Sequence, residues 1–193
     1  ALKASRKYAY TKKSGRYEWI AMEESFHGRG FGAVSVTGHK AYQEPFEPLV
    51  PGVRFAKYND LESVKELVTD KTCAIILEPV QGEGGINVAT EEFLTGIRRI
   101  CDENDILMIC DEVQCGMGRT GSFFAWQQYG VRPDILTMAK AIGNGFPVGA
   151  FALTEKVAEC SLNPGDHGTT YGGGPLACAA VAKTVEIYER EHL

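Results

Sequence analysis

The feature that most constrains this chain is a pair of short, uninterrupted apolar runs, CAIIL at residues 73–77 and ILMIC at residues 106–110. A strand with one wet face alternates apolar and polar residues. A run that is apolar at consecutive positions needs cover on both faces. Residues 17–22 (YEWIAM), 134–138 and 148–153 (VGAFAL) read as further strands. Between them the period changes. Leu61, Val64, Leu67 and Val68 are spaced for a helix over 59–69, and Asn59 with Glu62 predicts a capping box. Phe93, Leu94, Ile97, Ile100 and Cys101 do the same over 91–103, behind Thr90 as N-cap and two acids in the first turn. Pro175 opens a last helix with Leu176, Ala180, Val181 and Val185 on one side. Alternating strands and helices predict an α/β fold, a mostly parallel sheet sandwiched by helices. Residues 1–12 and the final KTVEIYEREHL read as helices without outer caps, so the chain is expected to continue beyond both ends.

Charge and composition narrow the function. The 193 residues carry 20 Lys+Arg against 25 Asp+Glu, a net charge of −5. A mildly acidic surface repels phosphate backbones, so no nucleic-acid partner is expected. No apolar run is long enough to cross a bilayer, and ALKASRKYAY is not a secretory signal, so no membrane association and a cytoplasmic location are expected. Six cysteines, at 73, 101, 110, 115, 160 and 178, include no C-x-x-C pair. They read as reduced thiols rather than a disulfide framework or a metal site.

In a sheet of this kind the ligand crevice lies outside the carboxyl ends of the strands. The run ILMIC ends there in Asp111 and Glu112. An acid at that position suits a cofactor, and equally a helix cap or a salt bridge. The strand DILTM runs into Ala139, Lys140 and Ala141. A half-buried lysine between small neighbours attacks carbonyls, whereas a lone lysine more often snorkels over the sheet edge. The loop 168–175 (GTTYGGGP) offers hydroxyls and open amides before a helix, a plausible phosphate cup. QGEGG at 81–85 contains an acid and suits phosphate less well. Neither a P-loop nor G-x-G-x-x-G after a strand is present. After YEWIAM, Phe26 could stack on a ring and Arg29 could hold a carboxylate, while His27 reads as a polar loop residue with no role in proton transfer. Taken together, a lysine, a strand-end carboxylate, an aromatic plate, a hydroxyl-glycine loop and an arginine fit pyridoxal 5'-phosphate (PLP).

Five ordered stretches between residues 25 and 178 carry a resemblance: SFHGR, LEPVQGEGG, ICDEVQCGMGRTG, DILTMAKAIGNGFPVGA and TTYGGGPLAC. They resemble the motifs of the class III (ornithine-type) aminotransferases, nearest to the acetylornithine and succinylornithine branch. The resemblance implies a fold-type I PLP-dependent transferase and a homodimer with active sites at the subunit interface. Residues 1–193 would form the central part of the large, PLP-binding domain, with the upstream phosphate loop and the small C-terminal domain outside them. Lys140 matches the Schiff-base lysine and Asp111 the carboxylate on the pyridine nitrogen, the catalytic pair. Gln114 matches the residue near the phenolic oxygen, and Val113 packs on the ring face opposite the stacking Phe26. Arg29 matches the arginine for the substrate α-carboxylate. Thr170, with Thr169 beside it, matches the position that reaches the phosphate of the neighbouring subunit's cofactor. Glu83 matches a glutamate near the substrate's side-chain arm, with Glu78 close behind it. The family usually reads TYGGNP where this chain has Gly174, so capping of the last helix is expected to differ.

The implied reaction moves the amino group of N-acetylornithine to 2-oxoglutarate, giving N-acetylglutamate semialdehyde and glutamate, a step of arginine biosynthesis. The alternatives are ornithine, succinylornithine or 4-aminobutyrate as donor on the same scaffold, or a truncated non-catalytic module of that fold.

Overall fold

The computed structural model describes residues 1–193. In chain order the elements are α1 (Leu2–Thr11), β1 (Glu18–Met22), the short helices α2 (Phe31–Ser35) and α3 (Lys40–Gln43), β2 (Val53–Ala56), α4 (Leu61–Leu67) and β3 (Thr72–Leu77). The two-residue strands β4 (Val80–Gln81) and β5 (Asn87–Val88) follow, then α5 (Glu91–Asn104), β6 (Leu107–Asp111), β7 (Ile135–Met138), β8 (Ala150–Leu153), α6 (Glu155–Ala158) and α7 (Pro175–Glu191). Six strands form one sheet in the order β2-β1-β3-β6-β7-β8. The first five are parallel, and β8 runs antiparallel to β7. β4 and β5 form a separate antiparallel hairpin.

The consecutive apolar runs are explained by two cores. Successive strand side chains point to opposite faces. Ile20, Met22, Ile75, Leu77, Met108 and Cys110 go to the face covered by Val64 of α4 and by Phe93, Leu94 and Ile97 of α5. Trp19, Ala21, Ala74, Ile76, Leu107 and Ile109 go to the other, against Ala4, Tyr8 and Ala9 of α1 and Val157 of α6. β3 and β6 are buried along their whole length. Burial pushes the Cys73 and Cys115 thiols up to about 12, so these side chains pack as apolar groups. No helix is long and apolar enough to cross a membrane.

Helix ends follow local chemistry with one correction. The Thr90 hydroxyl accepts from the Phe93 amide at 3.1 Å and caps α5 as expected. α4 is capped by Asp60, not Asn59: Asp60 Oδ1 accepts from the Ser63 amide at 3.0 Å. Asn59 sits at φ 62, outside the extended conformation of an N-cap. Its side chain instead bonds the Val88 carbonyl and the Thr90 amide. At α7, Gly174 is the N-cap without a side-chain bond, and Pro175 opens the helix.

Two further differences concern exposure. β8 was expected to be covered on both faces, yet Ala150, Phe151 and Ala152 are exposed. Along α7 only Thr184 is buried, and Leu176 is 74 % exposed. The apolar stripe of this helix therefore has little of this chain to pack against. β2 escapes a pattern search because it is an edge strand in which only Ala56 is buried.

Candidate active site

Parallel strands deliver their carboxyl ends to one edge of the sheet. β1 leads to Phe26 and His27, β3 to Glu78, β6 to Asp111 and β7 to Lys140. Asp111 pairs in register with Thr137. Its carboxylate accepts from His27 Nδ1 at 2.7 Å, from the Thr137 hydroxyl at 2.9 Å and from the Val113 amide at 3.1 Å. An ionised carboxylate offers about four lone-pair sites. Oδ1 takes two of these bonds and Oδ2 one, which leaves Oδ2 able to accept one more donor. Asp111 lines a cavity of about 300 Å³ together with His27, Val113, Thr137 and Phe151. Glu112, its neighbour, plays the cap: its two oxygens accept from the Ala125 and Trp126 amides at 2.6 and 2.8 Å.

His27 corrects the sequence reading. Its side chain is 2 % exposed, not a surface loop group. Because a carboxylate only accepts, Nδ1 carries the proton of the bond to Asp111. Nε2 is sealed without a partner. The motif FHGR placed this histidine beside Phe26, but only the adjacency of loops after β1 and β6 brings it to Asp111.

Lys140 follows β7 through Ala139 and adopts φ 49. The left-handed region costs a non-glycine residue roughly 1–2 kcal/mol, and such strain collects at functional sites. The Lys140 ammonium donates to the amide oxygen of Gln114. It is exposed in this chain rather than half-buried. Gln114 in turn lies directly over Gly82, where an added Cβ would fall 2.1 Å from Gln114 Nε2. Glycine lets the carboxamide approach the backbone this closely.

The Phe26 ring is half-buried and meets Tyr42 edge-on at 6.0 Å. The Arg29 guanidinium lies 4.0 Å from the Tyr42 ring centre and 5.3 Å from that of Phe26. It is stacked on rings rather than paired with an acid, which leaves its donors free for an incoming carboxylate. Glu78, expected close behind Glu83, is not open to solvent. It is buried, and its oxygens accept from the Phe26 amide at 2.9 Å and the Gly82 amide at 3.4 Å. Burial pushes the Glu78 carboxyl above its ordinary range, against the pull of these amides and of His27.

The strand ends thus gather Phe26, His27, Glu78, Asp111, Val113, Gln114 and Lys140. Glu83 is exposed on its turn, and Thr169 and Thr170 lie on an exposed turn before α7. Of the residues singled out from the sequence motifs, only His27, Asp111 and Val113 line the cavity at Asp111; Phe26, Arg29, Glu78, Glu83, Gln114, Lys140, Thr169 and Thr170 do not.

The sequence matches the family described as aminotransferase class-III over residues 1–193. It is 52 % identical over 191 residues to an acetylornithine aminotransferase of Methanocaldococcus jannaschii, covering 98 % of this chain and 48 % of that protein. It is equally 52 % identical over 191 residues to a succinylornithine transaminase of Citrobacter koseri, covering 97 % of this chain and 46 % of that one. The structure superposes on the ornithine aminotransferase of Toxoplasma gondii, solved with partial occupancy of PLP at its active site. The TM-score is 0.93 at 33 % identity, over 99 % of this chain and 46 % of that one. The chain spans about half the length of the curated relatives it matches. With a match that runs from the first residue to the last, this chain belongs to the class III aminotransferases.

Proposed function

We propose that this chain is the cofactor-binding core of a PLP-dependent aminotransferase that moves the amino group of an acylated ornithine to 2-oxoglutarate. N-acetylornithine is the donor, the products are N-acetylglutamate semialdehyde and glutamate, and the setting is arginine biosynthesis. The observation that carries this reading is the convergence of Lys140 and Asp111 at one sheet edge, the first strained and held by Gln114, the second buried with one acceptor site to spare. That spare site beside a cavity of about 300 Å³ fits a protonated ring nitrogen. PLP, when bound, supplies an electron sink that makes the carbon beside the transferred nitrogen acidic. Lys140 would hold it through Nζ and, once released by the incoming amine, carry the proton between carbon atoms as base and then acid. Asp111 would keep the ring nitrogen protonated, Phe26 and Val113 would cover the two ring faces, and Gln114 would orient the ring's phenolic oxygen. Arg29 would bind the substrate carboxylate, with Glu83 toward the substrate's arm.

Thr169 and Thr170 lie on an exposed turn and would face a second subunit's cofactor in a homodimer. Thiols buried as apolar groups suit the cytoplasm. Succinylornithine is the second donor to consider, because relatives named for each acyl group are equally identical to this chain.

The test is a donor panel with the complete protein and 2-oxoglutarate: N-acetylornithine, N-succinylornithine, ornithine and 4-aminobutyrate, compared by kcat/KM. The reading expects the acylated ornithines to lead by about tenfold or more, since a pocket that hydrogen-bonds an acyl group rejects donors lacking it. A lead by 4-aminobutyrate would overturn the substrate. Absence of PLP binding by the complete protein would leave the non-catalytic module.

A further inference from the structure

We infer that Glu78 is a positioning residue whose single carboxylate joins the two walls of the cofactor site, a role that rests on the reading of Lys140 and Asp111 as that site. One wall is the loop after β1. Phe26, whose amide Glu78 holds, is followed directly by His27, and His27 holds Asp111. The other wall is the turn after β4. Gly82, whose amide Glu78 also holds, is the floor beneath the Gln114 carboxamide, and that carboxamide holds Lys140. Glu78 is therefore the junction from which one arm runs to the ring-nitrogen carboxylate and the other to the lysine.

The two loops are bound to each other around this junction. Gln81 Nε2 donates to the Glu23 carbonyl at 2.8 Å. An added Cβ on Gly84 would fall 2.3 Å from the Glu24 carbonyl oxygen, so the two backbones touch there. The Tyr58 hydroxyl closes the far side by donating to the Glu78 and Pro79 carbonyls at 2.8 and 3.0 Å. An acid this deeply buried, with only His27 as a neighbouring imidazole, is an expensive choice where an apolar residue would pack more easily. The bridge gives the acid a purpose. Glutamine keeps the volume of Glu78 and one acceptor, but its amide N–H₂ opposes the Gly82 N–H and parts the second wall. Aspartate keeps the charge and cannot span both amides.

The experiment compares Glu78→Gln and Glu78→Asp with the unchanged protein, using the complete chain with and without PLP. Glu112→Gln is the control, because Glu112 is an equally buried acid on two backbone amides that belong to the Ala125–Tyr129 turn. Without cofactor, both Glu78 variants are expected to lose hydrogen-exchange protection at the Phe26 and Gly82 amides, and Glu112→Gln is not. With PLP, both are expected to lose at least about half of the visible circular dichroism of the bound ring and to raise its Kd by about tenfold, with KM for the amino donor changed less than about twofold. Glu112→Gln is expected to lower the thermal midpoint and leave the visible spectrum alone. Unchanged dichroism and Kd in both Glu78 variants would overturn the inference, as would a raised KM alone, which marks a substrate contact. Should Glu78→Gln fail to fold, Glu78→Asp decides by the same readouts. If the unchanged protein itself fails to bind PLP, the reading of the site fails rather than the role of Glu78.

Discussion

Replacing Thr137 by valine probes the support of Asp111 with almost no change of shape. The threonine hydroxyl donates to Asp111 Oδ1 at 2.9 Å, one of three bonds to a carboxylate whose side chain is 8 % exposed. A hydrogen bond to a buried charged group contributes about 1.5–3 kcal/mol. The added methyl recovers only about 0.5 kcal/mol, because Thr137 is half-buried and part of that area stays in contact with the cavity. The net loss is about 1–2.5 kcal/mol, which in a domain of this size lowers the thermal midpoint by roughly 2–10 °C. The remaining bonds, from His27 and the Val113 amide, leave Asp111 in place but less firmly aimed. PLP affinity should therefore fall by about threefold to tenfold. Differential scanning calorimetry of the cofactor-free protein and a spectrophotometric PLP titration read the two effects separately. An unchanged midpoint would refute the hydrogen bond's contribution. A lowered midpoint with unchanged PLP affinity would refute Asp111 as the cofactor's partner.

Three more outcomes are expected. Lys140→Ala should abolish turnover while the fold persists, since Lys140 is exposed and anchors nothing but Gln114, and turnover at the original rate would sink its assignment. Gly82→Ala should push the flexible Gln114 carboxamide off Lys140, costing less than about 1 kcal/mol in stability while speeding PLP loss on gel filtration; a normal retention time course would contradict that geometry. Burial holds the Glu78 and Glu112 carboxyls above the ordinary 4.5 in the folded state. Their contribution to stability is therefore complete below that value and is lost as pH rises through the raised one. The carboxylates held below their usual range, Asp166 and Glu186, change stability only on the acid side of it, whereas the Ala1 ammonium, which burial holds below its ordinary 8.0, works the opposite way on the neutral side, so the comparison is made against a variant. The lead in thermal midpoint of the unchanged protein over Glu112→Gln should therefore shrink as pH rises above 4.5; a lead that widens with pH would show the sign to be wrong.

The central sheet was legible because doubly covered strands such as Thr72–Leu77 write their burial as consecutive apolar residues. Asp111 was legible because it ends such a strand, and Lys140 because it follows β7 by two residues inside a motif. His27 was not. Its burial depends on Asp111, 84 residues away, and nothing local distinguishes a sealed imidazole from a loop one. The motif placed Glu78 close behind Glu83 but not on its partners, because these are backbone amides, which leave no trace in side-chain identity. Asn59 and Asp60 are both good caps on paper, and only the backbone of Asn59 excludes it. The exposed β8 and α7 read as apolar elements in sequence, and in this chain alone they keep that surface open.

Borohydride reduction of the protein after incubation with PLP, followed by peptide mass mapping, tests the central claim most directly. The account predicts a single pyridoxyl adduct, on Lys140. Should this chain alone give no adduct, or adducts scattered over surface lysines, the same measurement on the complete protein decides: an adduct anywhere but Lys140, or none at all, would contradict the account.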